Sequence, residues 1–275
     1  MSLAADRAER LDIGAVISDT FKVLQRNLRV FGLAALFLVI LPSLVQLLLN
    51  ILTGGQVLAA QTNWLSQGGP ALSIAAIALS LIFTLIGAVC SLSLNAGLFY
   101  AAAKDLDGEP VGVRDLILTG LKRFLPLFGL YILMAISVEL GMILLIVPGV
   151  YIFLRWSAAG PAIAVEGRGV FAAMKRSAML TKGRKWPLLL LWLIVFALLM
   201  AIDLGFVAAM GGFAAAAKFA YTQAMTPAMV VGLVLISLFG IVFSILLGVL
   251  GGVVFHHLRA GREDLSMTKM AEVFA

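Results

Sequence analysis

The hydrophobic positions of this chain fall into two patterns: long uncharged runs, and shorter stretches in which apolar residues recur every three or four positions. Between Arg29 and Lys104 there is no Lys, Arg, Asp or Glu over 74 residues. No ordinary soluble domain of this size tolerates that. A helix needs about 20 mainly apolar residues to cross the ~30 Å hydrocarbon layer. Runs of that order predict transmembrane segments at 30–52, 71–100, 127–147, 150–165, 188–210 and 227–255. The first ends at Thr53, Gly54 and Gly55; Pro70 opens the second, and Thr226 precedes Pro227 as an N-cap for the sixth.

The fourth segment is the shortest, with 16 residues, and contains Arg155 and the Gly160, Pro161 pair that should bend or interrupt it. Its competitor is a re-entrant or interfacial piece. Pro148 and Gly149 mark a tight turn between two apolar arms, which favours a closed hairpin and an even number of spans.

The periodic stretches precede the odd-numbered spans. At 11–29, Ile13, Ile17, Phe21, Leu24, Leu28 and Phe31 share one helical face, with Asp12, Asp19, Lys22, Arg26 and Arg29 on another. At 112–125, Val113, Ile117, Leu121 and Phe124 repeat the pattern, and 169–185 carries a weaker version. The expectation is an all-α polytopic bundle over 1–275: three transmembrane hairpins, each preceded by an amphipathic interfacial helix, with a tail at 256–275.

Basic residues are retained on the cytoplasmic side of membrane proteins. Of the 20 Lys and Arg, 18 fall on one predicted face and only Arg155 and Lys218 elsewhere, which places both termini in the cytoplasm. The net charge of +6 is spread over these flanks, so topology and anionic-lipid attraction explain it better than nucleic-acid binding. Lys22, Arg26, Arg29, Lys122, Arg123, Arg184 and Lys185 are the expected headgroup contacts, and membrane lipids, anionic ones above all, the expected partners. The 29 mostly polar residues before the first run do not resemble a cleaved export signal.

Composition agrees, with 62% hydrophobic residues, 12% charged residues and a mean hydropathy of +1.09. Cys90 is single, which excludes an intrachain disulfide or a cysteine zinc cluster. His256 and His257 are adjacent and point about 100° apart on a helix, so they do not chelate one metal. No metal and no cofactor is expected.

Glu139, Arg155 and Asp203 lie inside predicted spans, where an ionised side chain costs about 2.5 to 3.5 kcal/mol at the bilayer centre. Counted from the turns, all three fall roughly 10 to 14 Å below the outer surface. One guanidinium could meet one or two carboxylates, as a structural ion pair or as a proton or substrate site. Gly240, Ser244, Gly248 and Gly252, four apart on the sixth span, form a ridge for close helix packing, with an internal neighbour favoured over a second subunit.

The string VPGVYIFLRW at 147–156, then Pro161, Glu166, MKRSAMLTKGRKW at 174–186 and FHHLRAGRED at 255–264 resemble the signature of the membrane domain found with some bacterial glycerophosphodiester phosphodiesterases and in stand-alone proteins. The resemblance covers nearly the whole chain and implies a bacterial inner-membrane protein. It does not imply phosphodiesterase activity, which belongs to a separate soluble barrel with carboxylates and histidines around a metal. No P-loop, zinc signature or serine-nucleophile motif is present either. The expected function is non-catalytic, organising lipid or tethering a partner at the cytoplasmic face; the alternative is a small transporter using Glu139, Arg155 and Asp203.

Overall fold

The computed structural model describes residues 11–52, 74–209 and 227–274. Among them it is entirely helical apart from turns, and six helical stretches are long and apolar enough to cross a membrane. They are Leu28–Gln46, Leu81–Leu106, Val113–Leu144, Ile146–Glu166, Lys185–Gly205 and Ser237–Glu263, and each overlaps one of the apolar runs. The protein is a multi-pass helical membrane bundle. The connections at 53–73 and 210–226, with Lys218, lie outside the described residues.

Helix α1, Ile13–Arg26, begins where the Asp12 carboxylate accepts from the Gly14 and Ala15 amides at 2.9 and 3.2 Å. After Asn27 the chain continues as α2, Leu28–Ala35, a π turn at Leu36–Ile40, and α3, Leu41–Leu52. Pro42 follows that widened turn; its missing donor and bulky ring make a regular ladder there costly. Helix α4, Ile74–Leu106, and α5, Val113–Leu144, form a hairpin through Gly108, whose φ of +83° is accessible to glycine at no steric cost.

The structure departs from expectation along α5. The amphipathic 112–125 stretch and the third span are one helix running through Pro126. The change from amphipathic to mainly apolar sequence occurs without a break in the backbone.

The fourth segment is interrupted, as its composition required, but elsewhere. Helix α6 is Ile146–Trp156 and α7 is Ala159–Glu166. The turn before α6 sits at Leu145, in extended conformation (φ −167°, ψ 145°), so Pro148 and Gly149 lie in the first helical turn and not between the arms. Likewise the break falls at Ser157 and Ala158, ahead of Gly160 and Pro161. Proline is tolerated in a first turn, where amides lack intrahelical acceptors, and this moves both boundaries upstream. Gly149 serves packing instead: a Cβ there would lie 2.5 Å from Met142 Cγ.

Helix α8, Val170–Leu180, covers the break. Ser177 Oγ donates to the Arg155 carbonyl at 2.8 Å and accepts from the Ala158 amide at 3.2 Å, while Thr181 Oγ1 reaches the same carbonyl at 3.3 Å. Two backbone groups orphaned by the interruption are thereby satisfied. Helix α9 is Lys185–Ala209 and α10 is Pro227–Phe274. The predicted tail from 256 onward prolongs α10 as helix.

The core occupies one end of the bundle. It comprises the second half of α4 (Leu94 to Ala103), the first half of α5 (Leu116 to Leu130), α7, the first turns of α9 (Leu188, Leu191) and Val249 to Leu258 of α10. Toward the other end, Leu81 to Ile86, Ile136 to Val147, Leu193 to Leu204 and Leu235 to Val242 present large exposed apolar side chains. Small residues permit the close packing: a Cβ at Gly120 would lie 2.1 Å from the Ser93 carbonyl oxygen, and one at Gly252 2.7 Å from that of Phe99. Lipid offers apolar side chains no incentive to cluster, so tight packing appears only where small residues allow it.

Of the predicted ridge, Gly248 and Gly252 pack on α4, together with Gly251, which the four-residue spacing passes over. Ser244 is half-buried, and Gly240 is open, with nothing within 4 Å of a Cβ.

Candidate functional site

The packed end is also the basic end. Arg26 pairs with Asp105 at 2.6 Å, and Asn27 Nδ2 donates to the same carboxylate at 2.8 Å. Asp107 receives Arg259 at 2.9 Å and faces His256 Nε2 at 3.1 Å. Asp19 faces His257 Nε2 at 3.1 Å and Lys22 at 3.0 Å. Glu166 holds Arg176 at 2.9 Å and Arg168. Arg184 is only 4% exposed and donates to the Leu258 carbonyl at 3.1 Å. These ties fasten α1, the α4–α5 turn and the α8–α9 turn to α10. Partial burial raises the Asp19 pKa, but hydrogen bonds from Lys22 and His257 and their positive charge outweigh it and leave the carboxyl below its usual value.

The seven predicted headgroup cations therefore divide. Lys22 and Arg26 spend their charge within the protein, and Arg184 is a buried clamp. Arg29, Lys122 and Arg123 make no ion pair among the described residues, and Lys185 lies 3.6 Å from the centroid of the Tyr151 ring. Exposed Arg114, Lys175 and Lys182, which sequence reasoning passed over, also lack a carboxylate partner there. A count of basic residues shows which end is cationic; only the tertiary pairing shows which cations are left over.

The amphipathic helices turn only part of their predicted stripes inward: Ile13, Ile17, Leu24 and Ile117 pack against the core and Phe31 is buried. In α1 the buried positions are Val16, Thr20 and Val23, while Phe21, from the predicted apolar stripe, is 51% exposed. In the first turns of α5, Leu116 and Gly120 are buried, whereas Leu118, Leu121 and Leu125 are exposed. In α8, Ala173 and Ser177 are buried while Phe171 is 78% exposed. Each helix thus divides its large apolar residues between the core, where Leu116 and Leu180 are buried, and the outside. Helical spacing sets such residues beside cations: Leu33 with Arg29 on α2, Leu118 and Leu125 with Lys122 on α5, Phe171 and Met179 with Lys175 on α8. An apolar edge flanked by lysine or arginine matches the acyl–headgroup boundary of a bilayer.

Glu139, Arg155 and Asp203 are each exposed, and no ion pair joins them. With the turn at Leu145, Glu139 is roughly 9 Å and Arg155 roughly 15 Å of helix away from it, so their depths differ. The Arg155 carbonyl is held by Ser177 and Thr181, which brings the residue to the α8–α9 junction at the basic end instead of the outer half.

Inside the packed end, a cavity of about 190 Å³ is walled by Phe99, Tyr131, Phe153, Trp156 and Trp192, with Asn95 beside them and no charged residue. Phe153 and Trp192 meet edge to face, their centroids 5.4 Å apart, and the Trp192 Nε1 is buried without a partner. Among the described residues no group of three or more His, Cys, Asp or Glu is placed to hold a metal. No family model, no curated protein and no solved structure matches this chain.

Proposed function

We propose that the protein is a non-catalytic module of a bacterial inner membrane, its basic end facing the cytoplasm, which binds and organises anionic lipid through three interfacial helices. The resemblance to the glycerophosphodiester phosphodiesterase membrane domain supplies the bacterial inner-membrane setting, and the lipid role rests on the residues described above. The observation that carries the reading is the same juxtaposition on α2, α5 and α8: exposed large apolar residues beside cations with no carboxylate partner among the described residues. An apolar residue on such a face gains by entering the acyl layer, and each neighbouring cation gains about 1 kcal/mol near an anionic surface. Both gains require the same placement of the helix.

Transport through Glu139, Arg155 and Asp203 has no comparable support. The test is retention of phosphatidylglycerol against phosphatidylcholine by the full chain, read by native mass spectrometry at low and high salt. Phosphatidylglycerol should be preferred, less so in high salt, and the variant Arg29→Gln, Lys122→Gln, Lys175→Gln should lose part of the preference. Equal retention of both lipids at low salt would refute the proposal.

A further inference from the structure

The Lys185 Nζ sits 3.6 Å above the Tyr151 ring, and Arg155 follows Tyr151 by one helical turn on the same face of α6. Two cations from different helices thus converge on one tyrosine. Neither has a carboxylate partner among the described residues, and Arg155 is exposed. Next to Lys185, Trp186 is 81% exposed, placed as the interfacial anchor that indole rings provide. The arrangement is held from behind, since Ser177 and Thr181 fix the Arg155 backbone and α9 begins four residues after Thr181.

Like charges brought together on an apolar surface repel each other and lose solvation unless an anion lies between them. The described residues supply none. The geometry points to a discrete phosphate site at Tyr151, Arg155 and Lys185 that takes the phosphodiester of one anionic phospholipid. The guanidinium offers a planar pair of donors, the ammonium a point charge and the tyrosine hydroxyl a further donor, while Trp186 lies against the glycerol and upper acyl region. This rests on the lipid-binding reading above and gives it a site with a defined stoichiometry, apart from the diffuse attraction of Arg29, Lys122 and Lys175.

The experiment titrates delipidated full chain in detergent with phosphatidylglycerol, phosphatidylcholine or inorganic phosphate and counts adducts by native mass spectrometry. It compares wild type with Arg155→Gln, Lys185→Gln and the double variant, and circular dichroism checks that each is folded. Wild type should hold one phosphatidylglycerol more tightly than the rest. Each single change should weaken that adduct about fivefold and the double change by more than tenfold. Should Arg155→Gln fail to fold, Lys185→Gln, at the first residue of α9, carries the same expectation by itself. Tyr151→Leu, which keeps both charges, should weaken the adduct less than either charge removal. Arg29→Gln with Lys122→Gln should leave the tight adduct in place while reducing the weaker ones.

A tight adduct unchanged in the Arg155, Lys185 double variant would overturn the site while sparing the general reading. Loss of any preference for phosphatidylglycerol in wild type would overturn both. Saturation by millimolar inorganic phosphate that blocks the lipid adduct would overturn the lipid assignment and give the site to a soluble phosphate.

Discussion

Gly120→Ala adds one carbon where α4 and α5 cross. That carbon would stand 2.1 Å from the Ser93 carbonyl oxygen, 2.9 Å from its carbon and 3.3 Å from the Cα. All three are backbone atoms, so no rotamer change relieves the clash. Ordinary contact begins at 3.4 Å, and the two helices must part by about 1.3 Å locally. A gap of ~1 Å forfeits a quarter to a half of each dispersion well along the seam, here among Leu94, Leu98 and Leu116. Overpacking in a closed core costs about 1 to 3 kcal/mol, and a backbone clash belongs at the upper end. For a chain of this size, about 3 kcal/mol lowers a thermal midpoint by roughly 6 to 12 °C. The assay heats the detergent-solubilised chain and measures the monodisperse fraction by size-exclusion chromatography. Gly87→Ala on the same α4 is the control, because nothing lies within 4 Å of its Cβ and alanine gains about 0.5 to 1 kcal/mol of helix propensity. A Gly120→Ala midpoint at or above wild type would refute the packing geometry given for the α4–α5 seam.

Three further outcomes are expected. Ser177→Ala removes the bridge across the α6–α7 break and should cost about 1 to 3 kcal/mol, read as earlier proteolytic cleavage near Ser157; unchanged proteolysis would show that Thr181 suffices. Asp19, whose folded carboxyl titrates below the ordinary value of 3.8, stabilises the fold above that value and stops doing so as pH falls through its lowered pKa. Asp19→Asn should therefore flatten the acid limb of a plot of thermal midpoint against pH, and an unaltered limb would show that the Lys22 and His257 contacts add no stability. Gly252→Leu should disrupt the α4–α10 seam, where even a Cβ meets the Phe99 carbonyl and Ala102 Cβ at 2.7 and 2.8 Å, whereas Gly240→Leu should be tolerated; equal melting of the two would contradict the asymmetric use of the ridge.

Much of the architecture was legible in the sequence because it is local. Run length predicts spans, since a helix of given rise must match a slab of given thickness, and the spans lie where the apolar runs are. Periodicity likewise placed helices at 11–29, 112–125 and 169–185, and helices are there. The interruption of the fourth segment was foreseeable from Gly160 and Pro161. Its position at Ser157 and Ala158 depended on Ser177, a residue on another helix.

Tertiary structure decided the rest. Which members of each apolar stripe are buried could not be read from periodicity, because in a membrane an apolar residue is equally at home against lipid or against protein. In α1 the choice fell to Val16, Thr20 and Val23 and left Phe21 outside. Which cations are spent was also hidden, since Arg26 and its Asp105 are 79 residues apart and His257 and Asp19 are 238 apart. Arg155 moved from an expected cluster with Glu139 and Asp203 to the neighbourhood of Lys185 for the same reason. Charge in a sequence is additive, but its partners are set by distances that exist only after the helices have packed.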